Sequence, residues 1–213
     1  MLQKSKRCHI KGAILAGGNA SRMGGILKGF LKDGNGQPII FRLIHEMRQS
    51  GIKDIVIVAN DPLPYLDMDM EIIPDLRKGI GPIAGIEASL LHFTGQCDGV
   101  LFVPCDVPNI TAKELMTLKD GFIDSEAGVV FAETEVFFWH PLCAVVHNDI
   151  ASQISSAIDH GQRKVQRLWK QLGAVTVKFD DEAAFTNINS FSDINRLQEN
   201  KYEKKNLCGR LVD

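Results

Sequence analysis

The chain predicts an α/β protein: a three-layer, mainly parallel sheet with helices on both faces. Three observations carry that reading. Short apolar runs alternate with segments of helical periodicity, the first run opens directly into a glycine-dense loop, and the third ends in an aspartate set between prolines. Such alternation implies right-handed βαβ crossovers, and loops beyond the carboxyl ends of the strands are where open α/β sheets bind ligands.

The expected strands are residues 10–15, 54–58, 99–103, 127–131, 143–146 and 174–177, several of them rich in β-branched side chains. Between them lie helical stripes. Residues 39–49 put Ile40, Leu43, Ile44 and Met47 on one face, and residues 83–93 do the same with Ile83, Ile86, Leu90 and Phe93. Thr111 and Glu114 form a capping box for a helix running to about residue 120. Val165, Leu168, Trp169 and Leu172 make a further stripe, and Ser190 opens a last helix carrying Ile194 and Leu197. Residues 200–213 are charge-rich and read as a loose tail.

With 213 residues, 45% hydrophobic and 23% charged, the chain has the makeup of one soluble domain, its core spanning about 9–199. A formal net charge of −2 and a pI near 6.3 argue against a general nucleic-acid or membrane-surface binder. Any anion site must be local. The five cysteines, Cys8, Cys97, Cys105, Cys143 and Cys208, are scattered without a C-x-x-C, which suggests neither a disulfide framework nor a zinc site and fits a reducing cytoplasm. Lys11 interrupts the apolar run near the N-terminus, so that region reads as a first strand with a basic lead-in rather than a signal peptide. No run approaches the ~20 apolar residues of a membrane span.

The richest segment is LAGGNASRMGGILK, residues 15–28. Gly17, Gly18, Gly24 and Gly25 let the main chain approach a ligand closely, so that successive N–H groups can converge on anionic oxygens. Ser21 adds a hydroxyl donor; Arg22 and Lys28 add fixed positive charge suited to phosphate. The loop has neither the G-x-x-x-x-G-K-[ST] nor the G-x-G-x-x-G spacing, and a surface loop whose glycines serve only a turn is the plainer alternative. Its place straight after a strand favours a polyphosphate cradle.

Two further constellations fall on the same edge. In VLFVPCDVP, Asp106 stands at a carboxyl end between Pro104 and Pro108, where a carboxylate suits Mg²⁺, which takes one or two protein carboxylates and leaves the rest to water and phosphate. By itself it could equally cap a turn. In IIPDLRKGIGPIAGIEASL, Gly85 lies in the first turns of a helix, where glycine is costly unless something must approach closely. Asp75 would lie near the base and ribose of a nucleotide held by the first loop, with a solvated turn carboxylate as the plain alternative. Asn60 ends a strand, a common place for a turn-forming asparagine.

These segments together make the chain similar to the molybdenum cofactor guanylyltransferases, small nucleotidyltransferases with a Rossmann-like, nucleotide-diphospho-sugar-transferase-like sheet. The resemblance runs from Lys11 to about Leu197. It is carried by the glycine loop, Asn60, GPIAGI, PCDVP, His140–Pro141, GQRKV from Gly161 and NINS from Asn187. The first four are shared with relatives that activate other acceptors, and the last three point more narrowly to molybdopterin. Such relatives often have an aspartate before the loop lysine; this chain has Leu27.

The resemblance implies main-chain contacts to GTP from Leu15, Ala16 and Gly17, with Gly18, Ser21, Lys28, Asn60, Asp75 and Asp106 completing the nucleotide site and Asp106 on Mg²⁺, or Mn²⁺ in its place. Arg22, Lys28 and Asp106 would carry the chemistry. The implied reaction is attack by the terminal phosphate of molybdenum-bearing molybdopterin on the α-phosphorus of GTP, releasing pyrophosphate. On the acceptor side, His140, Arg163, Lys164, Asn187 and Asn189 are candidates, each balanced by a structural or solvated alternative. Expected partners are GTP, molybdopterin and the molybdoenzyme apoproteins or chaperones that take the product. Cytidylyl transfer to molybdopterin and sugar-phosphate nucleotidyl transfer are the alternative enzymes; a non-catalytic nucleotide sensor or cofactor carrier is disfavoured by the presence of both Lys28 and Asp106.

Overall fold

Alternation along the strands decides the architecture. In β1 (Ile10–Leu15), Ile10 and Ile14 enter one apolar cluster while Ala13 and Leu15 enter a second, so the strand needs cover on both faces. The same division holds in β2 (Ile55–Val58) and β4 (Gly99–Pro104): Ile55, Ile57, Leu101 and Val103 face one way, Val56, Val58, Val100 and Phe102 the other. The computed structural model describes residues 8–17, 27–33, 36–135, 138–188 and 193. Within them, β3 (Glu71–Ile73), β5 (Val129–Thr134), β6 (Phe138–His147) and β7 (Val175–Phe179) complete a seven-stranded sheet of order β3-β2-β1-β4-β6-β5-β7.

Helices α1 (Ile39–Gln49) and α3 (Ala112–Ile123) cover one face. The other is covered by α2 (Pro82–His92), α4 (Ala151–Asp159) and α5 (Val165–Gln171). The expected α1 stripe is buried, joined by Ile39. The capping box opens α3 as expected, the Glu114 carboxylate accepting from the Thr111 N–H at 3.0 Å.

Six strands run parallel and β6 runs against them, paired antiparallel with both β4 and β5. The segment between β5 and β6 is too short for a crossover helix, so the chain can only fold back. The expected strand 143–146 is therefore just the far half of a ten-residue strand, and the one expected at 127–131 starts at Val129 and runs on to Thr134. Pairing shifts between Phe131 and Ala132: Phe131 faces Ala144 while Ala132 faces His140. The extra residues form a bulge around Pro141, whose missing N–H has no ladder bond to give there. Strand β3 and helix α4 were not expected from the sequence. The last helix expected from Ser190, with Ile194 and Leu197, lies outside the described residues, as does the tail 200–213.

Candidate functional site

The carboxyl ends of β1, β2, β3 and β4 converge. Leu15 is buried, the Ala16 N–H donates to the Val58 carbonyl at 3.0 Å, and the Cys105 N–H donates to the Leu15 carbonyl at 3.0 Å. These bonds hold the entrance of the glycine loop between the ends of β2 and β4. Gly17 brings its backbone against Asp75: a Cβ added there would lie 3.8 Å from the Asp75 carboxylate.

Asp75 is organised from two sides. Its carboxylate accepts from the Asn60 amide at 2.8 Å, and its own N–H donates to the Asn60 side-chain oxygen at 3.2 Å. Asn60 is thus more than a turn former; it fixes Asp75 reciprocally. On the other side, an added Cβ on Gly85 would meet Val58, Leu15 and the Asp75 carboxylate at 3.0 to 3.3 Å. The close approach that justifies a helical glycine is therefore α2 pressing on the end of β1 and on Asp75.

Lys28, on a single 3₁₀ turn (Lys28–Phe30), reaches across to Asp106, its Nζ 2.9 Å from Oδ2, with the two side chains 29% and 21% exposed. Oppositely charged groups thus meet just beyond β4, partly open to solvent. The neighbouring Cys105 thiol is buried and pushed up to about 12, so it is no thiolate nucleophile. A single accessible carboxylate fits Mg²⁺ that brings phosphate and water as its other ligands. It does not fit an all-protein metal cage: among the described residues no group of three or more His, Cys, Asp or Glu side chains is placed to hold an ion.

The segment after β7 closes the same edge. The Ile188 N–H donates to the Asp106 carbonyl at 2.8 Å, and Phe185 stacks on the His140 ring with centroids 4.9 Å apart. Asn187 and His140 are thereby carried to the side of Asp106 away from Asp75. The His140 Nε2 hydrogen-bonds Thr134 Oγ1 at 3.2 Å, and burial holds the ring's pKa below its usual range.

Arg163 and Lys164 precede α5, as expected, but their local bonds point elsewhere. The Arg163 guanidinium donates to the carbonyls of Ile158, near the end of α4, and of Gln162, in the turn that follows, and the N–H groups of Arg163 and Lys164 donate to the Gln162 side chain. Gly18, Ser21, Arg22, Gly24, Gly25 and Asn189 lie outside the described residues. Arg77 and Glu87 escaped notice in the sequence, although Glu87 is a carboxylate within the apolar α2 and is almost wholly buried. That oddity is the signal that a cation must reach it.

Residues 12–175 match the family described as MobA-like NTP transferase domain. The chain is similar to the molybdenum cofactor guanylyltransferase of Yersinia pestis (strain Pestoides F), 31% identical over 196 residues, which are 91% of this chain and 97% of the relative. Among solved structures it is similar to the molybdopterin-guanine dinucleotide biosynthesis protein A from Archaeoglobus fulgidus, with a TM-score of 0.72 and 26% identity over 91% of this chain and 99% of that one. The CMP:2-keto-3-deoxy-manno-octonic acid synthetase complexed with CTP shares the fold, with a TM-score of 0.72 at 12% identity over 92% and 99% of the two chains.

Proposed function

The chain belongs to the MobA-like NTP transferase domain family, and from that premise we propose that it transfers GMP from GTP to molybdenum-bearing molybdopterin, forming the guanine dinucleotide cofactor and releasing pyrophosphate. It is a nucleotidyltransferase of molybdenum cofactor biosynthesis. The observation that carries the reading is the Lys28–Asp106 pair, set between the loop that leaves β1 and the end of β4.

A terminal phosphate oxygen of the acceptor attacks the α-phosphorus of GTP; the new P–O bond forms as the bond to the β-phosphate oxygen breaks, and pyrophosphate leaves with that electron pair. The nucleophile is already ionised, so no side chain needs to remove a proton. Catalysis rests on positioning and on offsetting charge as pyrophosphate departs. Lys28 and Arg22 supply cations for the leaving group, Leu15, Ala16 and Gly17 contact GTP through the main chain, and Gly18 and the Ser21 hydroxyl serve the phosphates. Asn60 and Asp75 hold the base and ribose side. Asp106 would hold Mg²⁺, with Mn²⁺ the alternative, and the ion would offset phosphate charge. His140, Asn187 and Asn189 form the acceptor side, and Arg163 and Lys164 would join it only by releasing the Arg163 guanidinium from the Ile158 and Gln162 carbonyls. The setting is the cytoplasm, and the product passes to molybdoenzyme apoproteins or their chaperones.

Among the described residues no helix is long and apolar enough to cross a membrane. Mass spectrometry of the product formed from purified acceptor and mixed GTP, ATP and CTP tests the assignment. A guanine dinucleotide with stoichiometric pyrophosphate is expected; a cytosine dinucleotide, or no product, overturns it.

A further inference from the structure

The loop that carries Asp75 is clamped by a side chain the reaction does not touch. Arg77, two residues on, sends Nε and one terminal nitrogen to the two carboxylate oxygens of Glu87, both at 2.9 Å. Its other terminal nitrogen bonds Asp159, the last residue of α4. Glu87 is only 1% exposed and sits on α2, two residues beyond Gly85, which abuts Asp75, so the same helix meets the loop through both residues. A carboxylate so buried is costly unless a fixed cation meets it, and the planar guanidinium fork meets both its oxygens at once. The loop is thus held at two points, Asn60 on Asp75 and α2 with α4 on Arg77. Asp159 also adjoins the turn whose Arg163 donates to the Ile158 carbonyl.

We propose that Arg77 is a positioning residue: by tying the loop to Glu87 and Asp159 it fixes Asp75 for the nucleotide and couples the GTP side of the site to the α4–α5 turn. Arg77 touches no reacting group. Its effect runs through Asp75, so it falls on GTP affinity and base discrimination more than on turnover with GTP bound. The proposal rests on the guanylyltransferase reading.

Arg77→Met strands the Glu87 carboxylate and can simply unfold the chain. The deciding variant is therefore the double change Arg77→Met with Glu87→Leu, which replaces a buried ion pair by apolar groups of similar size and is expected to keep the thermal midpoint. GTP binding by calorimetry should weaken roughly tenfold or more in this variant, with kcat at saturating GTP within about twofold of wild type, because a displaced loop costs ground-state and transition-state binding alike. The GTP-over-ATP preference should fall with it. Arg77→Lys, which keeps the charge and loses the fork, should be intermediate. Wild-type GTP affinity in a stably folded double variant overturns the proposal and leaves the clamp a purely structural pair. Failure of the wild-type protein itself to bind GTP would instead sink the guanylyltransferase reading.

Discussion

Lys28 and Asp106 neutralise one another at the site, and each is placed there by backbone rather than by the pair itself, Asp106 by the end of β4 and Lys28 by its 3₁₀ turn. Asp106→Asn should therefore keep the fold, since a partly exposed ion pair is worth about 1 kcal/mol or less. It should lose most Mg²⁺-dependent pyrophosphate release; a wild-type response across a Mg²⁺ titration would remove Asp106 from the metal. His140 makes a different prediction. Burial lowers its pKa from the usual 6.5, with Glu182 opposing the shift, so the unfolded chain takes up a proton that the folded chain refuses. Its effect is absent above about 6.5 and destabilises the folded state as pH falls through that value. His140→Gln retains a partner for Thr134 and has no proton to gain. Its thermal midpoint should drop less than that of wild type between about pH 7.5 and about pH 5.5; equal drops would place the ring outside the buried pocket. The places of Asn60 and Asp106 at strand ends were legible because residues just past an apolar strand need few other facts to be placed, whereas the strand before Asp75 was not foreseen. Arg77 was not, because its partners lie 10 and 82 positions away and only the packing of α2 and α4 unites them.

At the scale of elements, legibility followed burial. Strand β1 and helix α1 match their expected limits because each buries a dense apolar pattern in the interior, interrupted in β1 only by Lys11. Strand β3 has three residues on a sheet edge, and α4 has only Ala151, Ile154 and Ile158 buried among polar neighbours, so neither writes a strong period. The direction of β6 is set by a short connection and a bulge, features that composition does not display. The packing of α3 on β7 is readable only in three dimensions. Gly121 sits in α3 where an added Cβ would fall 2.5 Å from the Val177 Cγ2 methyl. Alanine gains about 1 kcal/mol of helix propensity over glycine, whereas overpacking against a branched, stiff side chain costs about 1–3 kcal/mol. Gly121→Ala should thus be neutral to destabilising by about 2 kcal/mol, and adding Val177→Ala should recover part of the loss through relief of the clash. Additive losses in a denaturant double-mutant cycle would show that α3 and β7 are not in close contact.

At the scale of the whole molecule, Asn60 and Asp75 lie to one side of the Lys28–Asp106 pair and His140 and Asn187 to the other, so the proposed function divides the labour along one sheet edge. On that proposal nucleotide recognition does not need the acceptor, so the free enzyme should already discriminate bases. A guanine site pairs a ring N–H and an exocyclic amine that adenine presents differently, and unpaired polar groups in such a site cost about 1–3 kcal/mol, or roughly tenfold in affinity. Linkage turns this into a melting experiment. At GTP about 100 times its Kd, the folded state gains about 2.7 kcal/mol; ATP at the same concentration, bound roughly tenfold more weakly, gives about 1.4 kcal/mol. For a chain of this length each kcal/mol raises Tm by about 2–4 °C, so GTP should add about 5–11 °C and ATP about half of that. Asp75→Asn should bring the two shifts together, because it removes a charge from the base and ribose side while leaving the cradle intact. Equal shifts with GTP, ATP and CTP in the wild-type protein would refute guanine selection and favour an enzyme of the same fold acting with another nucleotide.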